Sequence, residues 1–166
     1  MENLRLHLIR HAKSDWNHEQ ISDHDRPLNN RGLKDARIMS KRFHENFETP
    51  DYWSSSTAIR AKSTLHFFAQ SCGLDESQVI LEKDLYLASL QTFIDLINTI
   101  PRNAKSAVMF GHNPGISEIS TYLSNEYVEM PTCCIVSLEF NLEGWGMVSG
   151  RTGNLVKLDY PKNTLL

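Results

Sequence analysis

The chain has 166 residues, of which 40% are hydrophobic and 22% are charged, and its formal net charge is −3. This length favours one domain, residues 1–166, with a hydrophobic core of its own. The slight acidic excess disfavours nucleic acid and membrane surfaces as partners, because proteins that bind them carry a basic excess. No apolar run in the sequence approaches the length that crosses a membrane.

The N-terminus and the cysteines indicate a cytoplasmic protein. Residues 1–3 lack the basic start and apolar core of a secretory signal. The three cysteines, Cys72, Cys133 and Cys134, are odd in number and two of them are adjacent. This arrangement does not suit a disulfide framework, and a reducing compartment is the simple interpretation. We expect the cysteines to pack as buried thiols.

The first predicted strand ends in a charged pair. Leu4, Leu6 and Leu8 alternate with other residues, as in a strand with one face in a core, and Arg10 and His11 follow soon after. In open α/β sheets, ligands bind at the carboxyl ends of the strands. Arg10 and His11 would supply a cation and a nucleophile at that edge, although an ordinary polar strand end would have the same sequence.

The chain continues as a loop, a helix, a strand and a second helix. Residues 21–30 are rich in Asp, His, Asn and Pro, which predicts a loop. The spacing of apolar residues predicts a helix over 31–47. A short strand over 51–55 leads into a helix over 58–71, for which Gly73 is a C-terminal stop.

Arg60 lies in the first turn of that second helix. A cation at this position opposes the helix dipole, so helix stability does not account for Arg60. Either another interaction favours the residue, or it is a tolerated surface side chain.

The second half of the chain repeats the alternation of strand and helix. A short strand over 79–81 precedes a helix over 90–100. The continuous apolar run at 106–110 predicts an inner strand covered on both faces, and a helix over 116–123 follows. His112 lies between these two elements, so it also stands at the carboxyl end of a strand.

The start of the helix after His112 suits an anion. Asn113 fits the N-cap and Pro114 fits the first helical position. Backbone N–H groups at a helix N-terminus bind anions, and His112 is adjacent to them in sequence.

The last forty residues predict strands at 133–140, 144–148 and 154–160. Across most of the chain, however, strands and helices alternate, which is typical of a parallel sheet with helices on both faces. The sequence therefore predicts an α/β fold with three layers, α/β/α, and a mainly parallel central sheet.

Four residues fall on the same predicted edge of that sheet: Arg10, His11, Arg60 and His112. Two guanidinium groups and a helix N-terminus form a pocket for an anion with several oxygens, such as phosphate. A neutral imidazole attacks phosphorus and forms a covalent phosphohistidine, and nearby cations keep it neutral by lowering its pKa. The second imidazole can donate to the phosphoryl oxygens in the transition state.

Metal and nucleotide chemistry find little support in the sequence. No histidine pair has HExxH spacing, no cysteine pair has CxxC spacing, and the acidic residues are scattered. Neither of the glycine-rich phosphate-binding motifs, GxxxxGK[ST] and GxGxxG, occurs. We therefore expect no metal and no cofactor.

Six stretches of the sequence occur together in an order typical of one family. They are residues 8–17 (LIRHAKSDWN), 22–32 (SDHDRPLNNRG), 55–64 (SSTAIRAKST), 85–86 (LY), 111–115 (GHNPG) and 130–132 (MPT). Together they resemble the histidine phosphatase superfamily, the phosphoglycerate mutase-like enzymes, and more narrowly its short SixA-type phosphohistidine phosphatases. The resemblance covers nearly the whole chain and implies a phosphoglycerate mutase-like fold.

The resemblance also implies roles for individual residues. His11 matches the nucleophile that takes the phosphoryl group, and Arg10, Arg60 and His112 match the other members of the phosphate pocket. Asn17 matches an asparagine that approaches the phosphate in many relatives.

Asp25 and Arg26 belong to a family-like stretch and are candidates for the rim of the pocket. Arg26 could add positive charge at the mouth of the pocket, or it could pair with Asp23 or Asp25. The sequence slightly favours the pairing.

Two positions depart from the superfamily's usual pattern. Ala12 stands where a glycine is common, and alanine is poor at positive φ. The glutamate that donates a proton to the leaving oxygen has no counterpart at residues 85–87, since Glu82 and Asp84 are out of register. A phosphohistidine substrate can do without this donor, because its ring takes a proton from solvent near neutral pH.

These observations predict a phosphatase that removes phosphate from a histidine-phosphorylated protein through a phospho-His11 intermediate. The resemblance points to phosphotransfer domains or phosphocarriers as partners, and a phosphate-like or sulfate-like anion is expected in the pocket. Two alternatives stay open. One is a small-molecule phosphomonoesterase that uses Asp25, Glu82 or another carboxylate as its acid, and the other is a non-catalytic module that binds phosphate or a phosphoprotein.

Overall fold

Six strands form one sheet in the order β3-β2-β4-β1-β5-β6. The structure, a computed structural model, describes residues 2–17 and 19–164, so His18 lies outside the described residues. The strands are β1 (Glu2–Arg10), β2 (Tyr52–Ser55), β3 (Ile80–Leu81), β4 (Ser106–Gly111), β5 (Ile135–Leu142) and β6 (Asn154–Asp159). The helices are α1 (Asn30–Asn46), α2 (Ile59–Cys72), α3 (Leu90–Asn98) and α4 (Gly115–Ser124).

The sheet is parallel in one part and antiparallel in the other. Strands β3, β2, β4 and β1 pair in parallel, whereas β5 is antiparallel to β1 and β6 is antiparallel to β5. In the pairing of the central strands, Arg10 of β1 stands opposite Gly111 of β4. The residues that follow the two strands are therefore neighbours in space, and the prediction of a mainly parallel sheet is confirmed.

Helices cover both faces of the sheet, which gives the predicted three layers. Leu4, Leu6 and Leu8 of β1 are buried in the core shared with α3 and α4. Ile9 belongs to the core on the opposite face, which includes residues of α1 and α2. The strand is therefore covered on both faces, although the leucine alternation by itself predicts only one.

The cysteines follow the same division between the two cores. Cys134 lies in the core with α3 and α4, and Cys133 lies in the core with α1 and α2. Both thiols are free and buried, whereas Cys72 is half-buried. Burial raises the pKa of Cys134 to about 12, which keeps its thiol protonated and supports a packing role.

Two predictions for the second half of the chain are wrong: the Asn113 cap of α4 and the strand over 144–148. Asn113 does not cap α4, because Pro114 occupies the N-cap position and the helix begins at Gly115. The Asn113 side chain instead donates to the Met130 carbonyl at 3.0 Å and accepts from the Ser117 hydroxyl at 2.6 Å.

Residues 144–148 do not form a strand. They contain a 3-10 helix, Trp145–Met147. The Trp145 side chain is 1% exposed, and its ring N–H donates to the Ala104 carbonyl at 2.7 Å. Insertion of the large ring into the core buries more apolar surface than pairing at the sheet edge would.

A close backbone approach joins α1 to the turn after β1. Asn29 caps α1 by accepting from the Gly32 N–H at 2.8 Å, and the Asn29 N–H donates to the Lys13 carbonyl at 3.0 Å. A Cβ at Gly32 would lie 2.1 Å from that same Lys13 oxygen. Only glycine therefore lets the helix start pack against this turn.

Gly32→Ala is expected to lower the free energy of unfolding by about 1–3 kcal/mol, because the methyl group must push the backbone at Lys13 aside. Urea unfolding measures the change. The matched control is Gly144→Ala, since a Cβ there meets nothing within 4 Å. Equal stability of the two variants would contradict the close approach.

Three buried histidines lie on or directly after the central strands. His7 packs in β1 against Phe43 and bonds Ser137 at 2.8 Å, and His11 and His112 follow β1 and β4. Burial is the largest cause that lowers the pKa of each to about 3, from an ordinary value of 6.5. Near neutral pH all three rings are uncharged in the fold.

The protein is expected to lose stability as the pH falls from 6.5 towards 3. In this window the unfolded chain binds protons on these histidines and the folded chain does not, which costs about 1 kcal/mol per histidine and pH unit. Urea unfolding across the window should show a shallower dependence for His7→Phe. His44→Gln, on the exposed side of α1, is the control for loss of one histidine, and equal slopes for wild type and His7→Phe would refute the explanation.

Candidate active site

A cavity of about 270 Å³ opens at the carboxyl ends of β1 and β4. Its position follows from the parallel pairing of these strands, since both chains leave the sheet on the same side. The residues that line it include Arg10, His11, Lys13, Arg26, Arg60 and His112, together with Ser14, Trp16, Asp23, Leu87, Asn113 and Thr132.

His11 is held in one tautomer. Its backbone N–H donates to the Gly111 carbonyl at 3.1 Å, and its ring Nδ1 lies 2.7 Å from the Ala12 carbonyl oxygen. A carbonyl oxygen only accepts, so Nδ1 carries the hydrogen. Because the pKa of His11 is lowered to about 3, chiefly by burial, the ring is neutral and Nε2 keeps its lone pair.

Ala12 takes the place of the family's usual glycine without a positive φ. The Ala12 N–H donates to the Thr64 hydroxyl of α2 at 2.9 Å. The turn after β1 is thus fixed against α2 by an ordinary hydrogen bond, and its backbone geometry suits alanine.

Arg60 reaches His11 from α2. Its Nε donates to His11 Nε2 across 3.4 Å, a direction that agrees with the tautomer derived above. Its Nη2 donates to the Asp23 carboxylate at 3.0 Å, and its Nη1 donates to the Asp23 carbonyl at 2.6 Å. These contacts explain a cation in the first turn of α2, where the helix dipole opposes it.

Arg10 approaches the cavity from β1. Its Nη1 donates to the Met130 carbonyl at 2.8 Å, which anchors the side chain to the segment before β5. Its buried Nε has no hydrogen-bond partner within the described part of the chain. Arg10 thus lines the cavity with a guanidinium that has one buried donor unpaired among the described residues.

His112 stands beside His11, with ring centroids 5.1 Å apart. Its Nε2 lies 2.7 Å from the Ser56 hydroxyl, and its Nδ1 has no partner among residues 2–17 and 19–164. Burial, followed by the charge of Arg60, lowers the pKa of His112 to about 3. The structure thus brings together all four residues predicted for the pocket: Arg10, His11, Arg60 and His112.

Both of the alternatives that the sequence left open for Arg26 apply. It lines the cavity, and its Nη2 pairs with the Asp23 carboxylate at 3.0 Å. Its Nη1 donates to Ser14 at 3.1 Å, and its guanidinium lies 3.6 Å from the centre of the Trp16 ring. Burial is the largest cause that lowers the pKa of Arg26. The contacts with Asp23, Ser14 and Trp16 hold its guanidinium in place.

The sequence offers Asp23 as a possible partner of Arg26 but gives no sign of its contacts with Arg60 and Tyr86. Its carboxylate accepts from Arg60, Arg26 and the hydroxyl of Tyr86. The bond from Tyr86 is the largest cause that lowers the pKa of Asp23, and the arginines act in the same direction. An acidic residue three positions before an arginine was the available signal, but nothing local connects it to Arg60 or Tyr86.

Two other predicted residues are not brought into the cavity. Asn17 is exposed, its N–H donates to the Asp15 carboxylate at 2.9 Å, and it is absent from the lining. Asp25 is also exposed and lies beside His24, with 3.3 Å between Oδ1 and Nδ1. The roles of Asn17 and Asp25 stay predictions.

The charges of the cavity favour a multivalent anion. Among the described residues, its lining carries four cationic side chains, Arg10, Lys13, Arg26 and Arg60, against the single carboxylate of Asp23. These cations repel one another, and a dianion that binds between them offsets this repulsion. Among the described residues, no group of three or more His, Cys, Asp or Glu side chains is arranged to hold a metal ion.

Comparison with known proteins agrees with this geometry. The model of the histidine phosphatase superfamily, branch 1, matches residues 6–89. An uncharacterised chloroplastic protein of Arabidopsis thaliana is 32% identical over 149 residues, which cover 85% of this chain and 68% of that protein. The predicted cytoplasmic location stays a prediction. In the described part of the chain, no helix is long and apolar enough to span a bilayer.

Solved structures share the fold. The protein histidine phosphatase SixA, complexed with tungstate, aligns with a TM-score of 0.82 at 17% identity, over 95% of this chain and 97% of that one. A protein of Agrobacterium tumefaciens, named provisionally as the phosphohistidine phosphatase SixA, aligns with a TM-score of 0.79 at 24% identity, over 95% and 98%. The match of the family model over residues 6–89 shows that the chain belongs to the histidine phosphatase superfamily.

Proposed function

We propose that this protein is a phosphohistidine phosphatase that acts on a histidine-phosphorylated protein through a covalent phospho-His11 intermediate. Membership in the histidine phosphatase superfamily supports phosphatase activity. The observation that carries the proposal is the neutral His11 ring, whose Nε2 lone pair faces Arg60 in a cationic cavity. Tungstate, an oxyanion, in the SixA complex is in keeping with phosphate binding in this fold.

The first step transfers the phosphoryl group to His11. Nε2 attacks phosphorus and forms a P–N bond, while the P–N bond to the substrate's imidazole breaks. Arg10, Arg60 and His112 hold the phosphoryl oxygens, and the charge that develops on the His11 ring is stabilised by its Nδ1–H bond to the Ala12 carbonyl.

The second step regenerates the enzyme. Water attacks phosphorus, the bond to His11 Nε2 breaks, and inorganic phosphate leaves with a proton released to solvent. The same cations that stabilise the first transition state stabilise the second, because both spread negative charge over the same three oxygens.

The state of Asp23 supports P–N rather than P–O cleavage. An alkoxide is a poor leaving group and requires a proton donor. Asp23 is the carboxylate in the described lining of the cavity, but it accepts hydrogen bonds from Arg60, Arg26 and Tyr86, and its pKa is lowered. It is therefore ionised near neutral pH, and a substrate imidazole that takes its own proton from solvent suits this site.

The size of the cavity supports a substrate presented by another protein. About 270 Å³ is below the roughly 300–1,000 Å³ of typical small-molecule sites. The cavity itself accommodates a phosphorylated side chain, and the rest of the substrate lies outside it. Phosphotransfer domains and phosphocarriers, which expose a phosphohistidine, are the proposed partners.

His11→Ala is expected to abolish release of radiolabelled phosphate from a phosphohistidine carrier protein, with chelator present. Wild type should release phosphate and should carry acid-labile label on His11 after rapid quenching. His44→Gln, which removes an exposed histidine, should behave as wild type. Phosphate release by His11→Ala at the wild-type rate would exclude the covalent intermediate. Tight binding of the labelled carrier by wild type, without release, would favour a non-catalytic binding module.

Phosphohistidine is expected to exceed an alkyl phosphate in kcat/KM by about 100-fold or more, because a missing general acid costs 10²–10⁴-fold. Aryl phosphates with good leaving groups should fall between the two, since their oxyanions leave without a proton. A substrate series with rising leaving-group pKa measures this dependence. Equal kcat/KM on alkyl phosphate and phosphohistidine would instead identify a small-molecule phosphomonoesterase.

A further inference from the structure

A second and larger concavity lies beside the catalytic cavity. It has a volume of about 510 Å³ and runs between α4 and the segment 127–129. Its walls include Thr121 and Tyr122 of α4 and Tyr127 and Val128 of the facing segment. We name this concavity the α4 groove.

Three exposed apolar side chains lie along this side of the molecule. Tyr127 is 84% exposed and Tyr122 is 43% exposed, and both line the α4 groove. Leu87, 55% exposed, lines the catalytic cavity next to it. Clusters of this kind on a soluble protein mark surfaces that bind partners.

The α4 groove adjoins the catalytic site. Asn113 lines both concavities. Ser117, also in the groove, donates to Asn113 at 2.6 Å and accepts from the Met130 N–H at 2.9 Å. The Met130 carbonyl in turn accepts from Arg10. A polypeptide that lies in the groove is therefore next to the phosphate pocket.

The two concavities have opposite charge. The lining of the catalytic cavity includes four cationic side chains, whereas the groove carries the carboxylates of Glu118 and Glu129 and no Lys or Arg in its described lining. Glu129 also accepts from the Tyr127 hydroxyl at 3.0 Å, which places a carboxylate beside the exposed ring. The groove thus suits an apolar side chain with a basic neighbour.

We propose that the α4 groove binds the polypeptide segment that carries the phosphohistidine, with an apolar side chain between Tyr122 and Tyr127 and a Lys or Arg against Glu118 and Glu129. This proposal rests on the proposed function and adds the partner's chemistry to it. A partner recognised in this way carries an anionic phosphoryl group and, a short distance along its chain, an apolar and basic stretch.

The charge of the flanking residues separates this proposal from simple attraction to the catalytic cavity. The cationic cavity alone favours acidic peptides, because they add negative charge near Arg10 and Arg26. The groove favours basic peptides through its two carboxylates. A preference for basic peptides therefore indicates recognition by the groove, and a preference for acidic peptides indicates attraction to the cavity.

The test uses synthetic phosphohistidine peptides flanked on both sides by Leu and Arg, or by Leu and Glu at the same positions. Wild type is expected to show a kcat/KM higher by about threefold or more on the Arg peptides, from the two charge pairs. Glu118→Gln should reduce this preference and Glu118→Lys/Glu129→Lys should reverse it. Tyr127→Ala should raise KM for both peptides.

Free phosphohistidine is the reference substrate, and each groove variant should hydrolyse it at the wild-type kcat/KM. Glu45→Lys, on the exposed face of α1, is the control for a change in net charge.

A preference for Glu peptides in wild type, or an Arg preference that survives the double charge reversal, would overturn the docking proposal. Hydrolysis of free phosphohistidine in the same experiment would still uphold the proposed function. An equal loss on peptides and free phosphohistidine would show that the groove only supports Arg10, which also overturns docking. Hydrolysis of the phosphohistidine carrier protein but of none of these peptides would overturn the docking proposal alone. Failure of wild type to hydrolyse the carrier protein as well as these substrates would overturn the proposed function and, with it, the docking proposal.

Discussion

The parallel pairing of β1 with β4 is the constraint on which the site depends. It sets Arg10 opposite Gly111 and directs the His11 N–H to the Gly111 carbonyl. Because both strands end at the same height, the imidazoles of His11 and His112 become neighbours. Apolar cores on both faces of the strands fix this register, since a shift by one residue would turn the buried leucines of β1 to the opposite face.

The carboxylate of Asp23 offsets part of the repulsion between positive charges at this site. Arg60 and Arg26 share its carboxylate, and Tyr86 donates to it as well. The loop that carries Asp23 is tied to α2, because the Ile59 N–H donates to the His24 carbonyl at 3.0 Å. One carboxylate thus positions two guanidinium groups without neutralising the cavity, which keeps an excess of positive charge for a phosphoryl group.

The surroundings of His11 suit the role of nucleophile proposed for it in two ways. Burial lowers the pKa of the ring and keeps it neutral, and the Ala12 carbonyl selects the nitrogen that carries the lone pair. The cost is stability at acid pH, because the folded state excludes protons that the unfolded chain accepts. The site and the fold are therefore linked through the same buried imidazoles.

The sequence by itself determined the order of most strands and helices and the three-layer fold. Leucine alternation in β1, the apolar run of β4 and the stop at Gly73 are local signals, and each depends on near neighbours along the chain. The same signals placed Arg10, His11, Arg60 and His112 at one edge of the sheet. Local signals failed at residues 144–148, where the core had space for the Trp145 ring, and at Asn113, whose amide bonds the distant Met130 carbonyl.

Only the tertiary structure decided what depends on contacts between distant segments. Asp23 and Tyr86 are 63 residues apart in the sequence, and the hydrogen bond between them joins Tyr86 to the carboxylate that also binds Arg60. The lowered pKa values of the histidines follow from burial, and the tautomer of His11 follows from the contact of its ring with the Ala12 carbonyl, neither of which the sequence specifies. The α4 groove likewise exists because segment 127–129 returns to face α4, a packing arrangement that no local pattern encodes.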